Sequence, residues 1–371
     1  MDGSLSLAQT AMPILAVRLG ATSIALGTIS WVAQLVRLPI CFTSGRLSER
    51  VGRKTLILPA AFAISCAYLL FARAQSTAHI MILYTVALAA IGAFYPALQA
   101  LIGDVSRQGQ LTRNLGAFNI GWCVGGGAAA LAAGALIKFG LGFAFHVAAA
   151  SSFVAGVLVV AWGSGKSNGR DDANEPTAAP TEDTGPLLLV SRLGLFTAFF
   201  GYATVRILFP KVAISTLGWS EQSVAWTVSA LPVGQACGML ATTAAPWWRG
   251  KVWPQVAAQT AMLVCGATIW KASSPVILGP AFFGIGVSLS VAYTAALYHG
   301  LSSRVDKGKN AGIHEAVVAA AGITGSLLGG VLAQVVSPRA PYVALGCLAA
   351  ACLVTTGLLC RNKGSVPFLR A

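Results

Sequence analysis

Long apolar runs recur along the whole sequence and limit the possible folds more than any other feature. A helix needs about 20 apolar residues to cross a bilayer, and backbone groups in lipid must find their hydrogen bonds within the protein. The sequence therefore predicts an all-α membrane protein with twelve transmembrane helices. The runs lie at 4–20, 22–44, 55–74, 79–102, 114–137, 141–163, 187–210, 221–243, 253–271, 275–300, 311–336 and 340–360.

The composition excludes the main soluble classes. Of the 371 residues, 56% are hydrophobic and only 10% are charged, whereas soluble domains carry about 25% charged residues. Intrinsic disorder is excluded too, because it needs low hydrophobicity and high charge. The cysteines lie mostly within apolar runs and never at C-x-x-C spacing, so we expect no metal site.

One long polar stretch, residues 164–186, interrupts the apolar runs and is rich in Gly, Pro, Ser, Thr and acids. Such a composition predicts a flexible linker, here between an N-terminal bundle at 1–163 and a C-terminal bundle at 187–371, with six helices each. Sliding the sequence by 196 residues lays 114–136 over 310–332 with their glycines in register. This match suggests an internal repeat.

The distribution of positive charge predicts the orientation in the membrane. Seventeen of the 25 Lys and Arg residues lie on the side of the termini and the linker, six on the other side and two inside spans. Basic loops stay cytoplasmic, so we expect both termini in the cytoplasm and a location in the plasma membrane. The net charge of +14 then reflects topology and not nucleic-acid binding. The first run is short and has no basic residue before it, so we expect helix 1 to be short or truncated.

The segment GRLSERVGRKTL, residues 45–56, carries the most informative motif. It resembles the loop between helices 2 and 3 of the major facilitator superfamily, with Glu49 where that family usually has Asp. The resemblance implies two six-helix bundles that rock around a midplane site. The matching positions are Gly45, Leu47, Arg50, Gly52, Arg53 and Lys54.

The same residues suggest a local structure. Gly45 and Gly52 would allow a tight turn and the approach of a neighbouring helix. Glu49 could pair with Arg50 or Arg53 as an ionic latch that favours one arrangement of the bundles. Asp104 is a further candidate partner. The alternative is a solvated basic loop.

Ionisable residues within spans are costly and mark candidate functional sites. Arg37 and Arg206 either face the cavity or extend toward the membrane surface. Glu315, next to His314, could carry a coupling proton or form a latch of the second half. The candidate cavity residues are Gln34, Arg37, Tyr95, Asn119, Trp122, Tyr202, Arg206 and Tyr293.

Three glycines of the eleventh run, Gly325, Gly329 and Gly330, are predicted to be helix-packing positions. Small residues at about four-residue spacing let helices approach closely in lipid. An exchanger-specific role is the alternative reading of this segment.

These features predict a secondary active transporter that moves a small, largely apolar or neutral organic solute by alternating access, with export as the leading direction. Neutral-metabolite uptake, facilitated diffusion and a non-transporting receptor or scaffold are the alternatives. We expect no catalytic residues and no cofactor, with H⁺ or Na⁺ as a candidate coupling ion. The expected partners are the lipid bilayer and a small-molecule substrate, with no nucleic acid, and the expected state is a monomer.

Overall fold

The computed structural model describes residues 1–106, 111–162, 185–301 and 307–362, and in these residues the chain is helical with short connections. The predicted linker therefore lies almost wholly outside the described residues. The helices are α1 (Asp2–Arg18), α2 (Ser23–Val51), α3 (Arg53–Phe71), α4 (Thr77–Val105), α5 (Leu111–Ile137), α6 (Leu141–Trp162), α7 (Gly185–Lys211), α8 (Glu221–Val228), α9 (Ala230–Ala244), α10 (Trp253–Lys271), α11 (Pro275–Leu301), α12 (Lys307–Val335) and α13 (Ala340–Asn362).

The helices follow the predicted runs closely. A π-helical turn, Val212–Thr216, extends α7, and α8 and α9 together form one span that is interrupted at Ser229. Ten of the described segments are long and apolar enough to cross a membrane. At 17 residues, α1 is short as expected, with a length of about 26 Å at 1.5 Å per residue.

We call α1–α6 the N half and α7–α13 the C half. Within each half the helices pack through small residues and aromatic rings. The hydroxyl of Ser65 on α3 donates to the carbonyl of Ala149 on α6, and Gly266 on α10 lies against the backbone of Tyr342 on α13. Large apolar side chains such as Phe62 and Val276 are exposed. Such a surface suits lipid and not water.

Because successive helices run in opposite directions, the bundle has two faces. We call the end where α1 begins and where α2, α4 and α6 end the terminal face. The opposite end, where α1, α3 and α5 end, is the distal face. The connections at the distal face are short, and Gly20 and Gly140 adopt positive φ values of 79° and 110° there.

The signature segment differs from its predicted form. Helix α2 continues through Gly45 to Val51 and α3 begins at Arg53, so only Gly52 stands between them, with φ at 94°. Gly52 therefore makes the turn. The turn and close approach that we expected at Gly45 are wrong: the residue is helical, and a Cβ added there would meet nothing within 4 Å. Residues after Gly45 such as Leu, Glu and Arg favour a helix.

The three glycines of α12 lie at contacts between helices. A Cβ at Gly325 would come within 2.7 Å of the Phe200 carbonyl oxygen on α7, and one at Gly329 within 2.8 Å of the Leu208 side chain. Gly330 faces the N half instead, and its Cβ would lie 2.7 Å from the carbonyl oxygen of Ser23. This placement suits the packing role expected of them.

Candidate transport site

Polar contacts join the two halves at the distal face. The guanidinium of Arg18 at the end of α1 donates to both carboxylate oxygens of Glu221 at the start of α8, at 2.7 and 2.5 Å. The ammonium of Lys211 donates to the carbonyl of Ala21 at 2.6 Å, and the backbone amide of Ser23 donates to Gln334 at 3.2 Å. These contacts close the gap between the halves at this end.

Backbone packing reinforces the closure. A Cβ at Gly27 on α2 would overlap the carbonyl oxygen of Ser326 on α12, so the two helices are in backbone contact. On the other flank, Gly134 of α5 packs against the indole ring of Trp226 on α8. Both contacts lie toward the distal ends of their helices.

The halves separate toward the terminal face. On α5, residues 119–121 are consecutively exposed, which means that this part of the helix has little packing on several of its sides. The structure is therefore closed at the distal face and open at the terminal face.

A pocket lies between the halves where they begin to separate. Its space, counted with the open mouth, is about 400 Å³. Three of the candidate cavity residues, Trp122, Tyr202 and Arg206, line it. The full lining is Asp2, Leu5, Ser6, Gln9, Trp122, Cys123, Gly126, Gly127, Tyr202, Arg206, Pro232 and Gln235.

Arg206 is the cation of the pocket. Its Nη1 donates to the hydroxyl of Tyr202 at 3.0 Å, and its guanidinium carbon lies 5.5 Å from the centre of the Tyr202 ring. Its Nη2 is buried and has no hydrogen-bond partner among the residues that the structure describes. The side chain therefore faces the interior and does not extend toward the membrane surface.

Asp2 is a pocket residue that the sequence analysis missed. The hydroxyl of Tyr95 on α4 donates to its carboxylate in a short hydrogen bond. The first apolar run was placed from residue 4 onward, which left Asp2 outside the predicted helix. A signal was present: Asp2, Ser6 and Gln9 are polar positions at helical spacing, so they share one face of the helix.

The other candidate cavity residues lie outside the pocket lining. Arg37 donates to Gln34 at 3.3 Å, and its side chain packs against Gly92 of α4. Asn119 is exposed on the terminal half of α5. The ring of Tyr293 contacts that of His314, with 4.8 Å between centroids.

The two candidate coupling residues of α12, His314 and Glu315, lie in different environments. His314 is 2% exposed, and within the described part of the chain neither ring nitrogen has a hydrogen-bond partner. Glu315, the next residue, is exposed. Neither belongs to the pocket lining.

The candidate latch residues meet within the N half. Nε of Arg53 lies 3.0 Å from the Asp104 carboxylate, which ties the start of α3 to the end of α4. Nη1 of Arg53 donates to Ser48 at 2.6 Å, while Glu49 is a more distant partner at 3.8 Å. Arg50 is exposed. In this conformation the network orders one half and does not bridge the two.

Comparison with known proteins decides the family. A family model described as Major Facilitator Superfamily matches residues 1–248 and 191–367. The chain belongs to this superfamily. It is a multi-pass integral membrane protein, and α8 and α9 together supply the eighth of the twelve helices of a facilitator. No curated protein sequence matches it significantly.

Solved facilitators share the fold over nearly the full length. A bacterial homologue of the human lysosomal transporter Spinster, inward-facing and unoccupied, aligns with a TM-score of 0.71 and 14% identity over 97% of this chain and 96% of that one. The occupied inward-facing structure gives 0.71 at 13% identity, with the same coverage. A mutant of the nucleoside transporter NupG gives 0.72 at 12% identity over 96% of this chain and 98% of that one. At these identities the likeness establishes the fold.

Proposed function

We propose that this facilitator is a secondary active transporter that exports a small, largely apolar organic solute by alternating access. The observation that carries the proposal is a pocket between two halves that are joined at one face and separated at the other. A solute can then enter from the terminal face. It can leave at the distal face after the contacts there break and the halves close at the terminal face instead. A scaffold would not need such a pocket.

The wall of the pocket supports the solute class. Leu5, Trp122, Tyr202 and Pro232 supply apolar and aromatic surface, and Arg206 and Asp2 are the charged side chains among the described residues of the lining. Solutes with many charges, such as nucleotides, would need more side chains of opposite charge in the pocket lining. Export is favoured because an apolar solute crosses the bilayer unaided, so that active transport is needed to remove it and not to admit it.

We further propose that the terminal face is cytoplasmic in the plasma membrane and that the monomer is the transporting unit. The excess of basic residues on that side supports the orientation. H⁺ and Na⁺ are the candidate coupling ions, with Asp2 in the pocket and Glu315 on α12 as the candidate carboxylates. Of the two, Asp2 is the stronger candidate because it lines the pocket.

A reversible cross-link at the distal face tests the proposal. Cysteines at Arg18 and Glu221, joined by a short bifunctional thiol reagent in a background without native cysteines, would hold the halves in the observed closure. We expect flux through reconstituted vesicles to stop and to return on reduction. The same assay with an imposed proton or Na⁺ gradient identifies the coupling ion.

The matched control is a cross-link within one half. Arg339 at the start of α13 donates to Ser273 after α10, both in the C half of the distal face. Cysteines at these two positions, linked in the same way, should leave flux unchanged. Undiminished flux with the 18–221 link would reject alternating access.

A further inference from the structure

The guanidinium of Arg206 lies deep in the membrane-spanning region. The span that contains it ends at Thr216, ten residues beyond Arg206, which places its Cα about 15 Å from that end at 1.5 Å per residue. No ion pair with Arg206 occurs among the residues that the structure describes. A charge at this depth is costly unless it is paired.

The neighbouring groups leave one side of the guanidinium unused. Tyr202 accepts from Nη1, while Nη2 remains buried and unpartnered at the pocket wall. The carboxylate of Asp2, which also lines the pocket, accepts a hydrogen bond from Tyr95. An unsatisfied buried donor thus lies in the wall of the pocket beside aromatic surface.

We propose that the transported solute is an organic anion, with a carboxylate or similar oxyanion that binds Arg206 and an apolar ring system that packs on Trp122 and Tyr202. This inference rests on the proposed function and specifies its substrate class. The ring system keeps the solute largely apolar, and a carboxylic acid crosses the bilayer in its protonated form, so export stays the expected direction. A guanidinium offers parallel N–H donors that match a carboxylate. The amide side chains of Gln9 and Gln235, in the same lining, can donate to the second oxygen.

The test compares two probes that differ in charge but hardly in shape, 1-naphthoate and 1-naphthamide. Binding to the purified full-length protein is measured by isothermal titration calorimetry and by thermal stabilisation. We expect 1-naphthoate to bind about tenfold more tightly than 1-naphthamide, because hydrogen bonds to charged groups are among the stronger ones. Arg206→Gln should abolish this preference, and Arg206→Lys should retain part of it.

Arg192→Gln is the matched control. Arg192 is also an arginine of α7 with a buried unpartnered nitrogen, but it donates to Asn310 and does not line the pocket. Its replacement should leave the preference intact. If Arg206→Gln does not fold, the Lys variant and the two probes on the unmodified protein still decide the question.

Equal binding of both probes, a preference that survives in Arg206→Gln, or no binding of 1-naphthoate would overturn the organic-anion assignment. None of these results bears on the cross-link at positions 18 and 221, which tests transport itself. The two proposals therefore fail separately.

Discussion

Arg53 connects several groups at the terminal face of the N half. It is 15% exposed and donates to Asp104, to Ser48 and to the carbonyl of Gly45. Glu49, which the motif made the leading partner, is 56% exposed and lies 3.8 Å from Arg53. Geometry and burial thus favour Asp104 over Glu49 as the partner of Arg53.

Replacing these residues separately should reveal that difference. We expect Arg53→Gln to lower the free energy of unfolding by about 1–3 kcal/mol, because it leaves part-buried acceptors without a donor. Glu49→Gln should cost less than about 1 kcal/mol, as is usual for exposed ion pairs. The measurement is unfolding in mixed micelles.

Equal losses of the free energy of unfolding in Arg53→Gln and Glu49→Gln would indicate instead that Glu49 is the main partner of Arg53. The latch hypothesis also predicts that Glu49→Gln shifts the balance between the open and closed forms, which cysteine accessibility from each side would detect. That part stays a prediction, because the observed network lies within one half.

Helix α2 packs against two different helices along its length. Its distal half touches the backbone of α12 at Gly27, where no side chain fits. Its terminal half packs on α4, with Arg37 and Cys41 against Gly92, and is otherwise largely exposed. The helix is therefore fixed to α4 and touches the C half from its distal end, at Gly27, to its middle, where Gln34 lies against Gly322.

The contact at Gly27 predicts a conformational effect. A methyl group in Gly27→Ala would overlap Ser326, so we expect α2 and α12 to move apart and the distal face to open more often. A cysteine at Ala21, which is 1% exposed, should then react about tenfold faster with a hydrophilic maleimide. A tenfold change corresponds to about 1.4 kcal/mol.

Gly45→Ala provides the control in the same helix. A Cβ at Gly45 meets nothing within 4 Å, so labelling at residue 21 should not change, and stability should rise slightly as Ala favours a helix over Gly. If Gly27→Ala folds and labels at the wild-type rate, the contact does not control the closure.

For the whole molecule, the charge distribution predicts a fixed orientation. In a background without native cysteines, new cysteines at Glu49 and Arg249 should react with impermeant reagents only from the cytoplasm. Those at Phe139 and Lys271 should react only from outside. All four positions are exposed, so access depends on the side of the membrane. Labelling of residues 49 and 249 from opposite sides would contradict the twelve-helix topology.

Much of the fold could be predicted because it depends on properties read along the chain. The length of each apolar run fixes a span, and the positions of Lys and Arg favour an orientation. The turn at Gly52 was predicted correctly because the residue adopts a positive φ that few others tolerate. The helical state of Gly45 was missed, since an isolated Gly does not by itself end a helix.

The candidate site could not be predicted in the same way, because it depends on the orientation of each helix about its axis and on how the helices pack. Arg206 and Trp122 were recognisable as polar or aromatic residues within spans, yet only packing shows that they share a pocket and that Gln34 and Tyr293 do not line it. Asp2 and Tyr95 are 93 residues apart and in contact.

The sequence by itself determined that this chain is a twelve-helix membrane protein with a basic face, because apolar length and charge distribution act locally on each segment. Only the tertiary structure decided which face is closed and which polar groups lack partners. These properties depend on distances between helices that are remote in sequence, and hydropathy does not encode those distances.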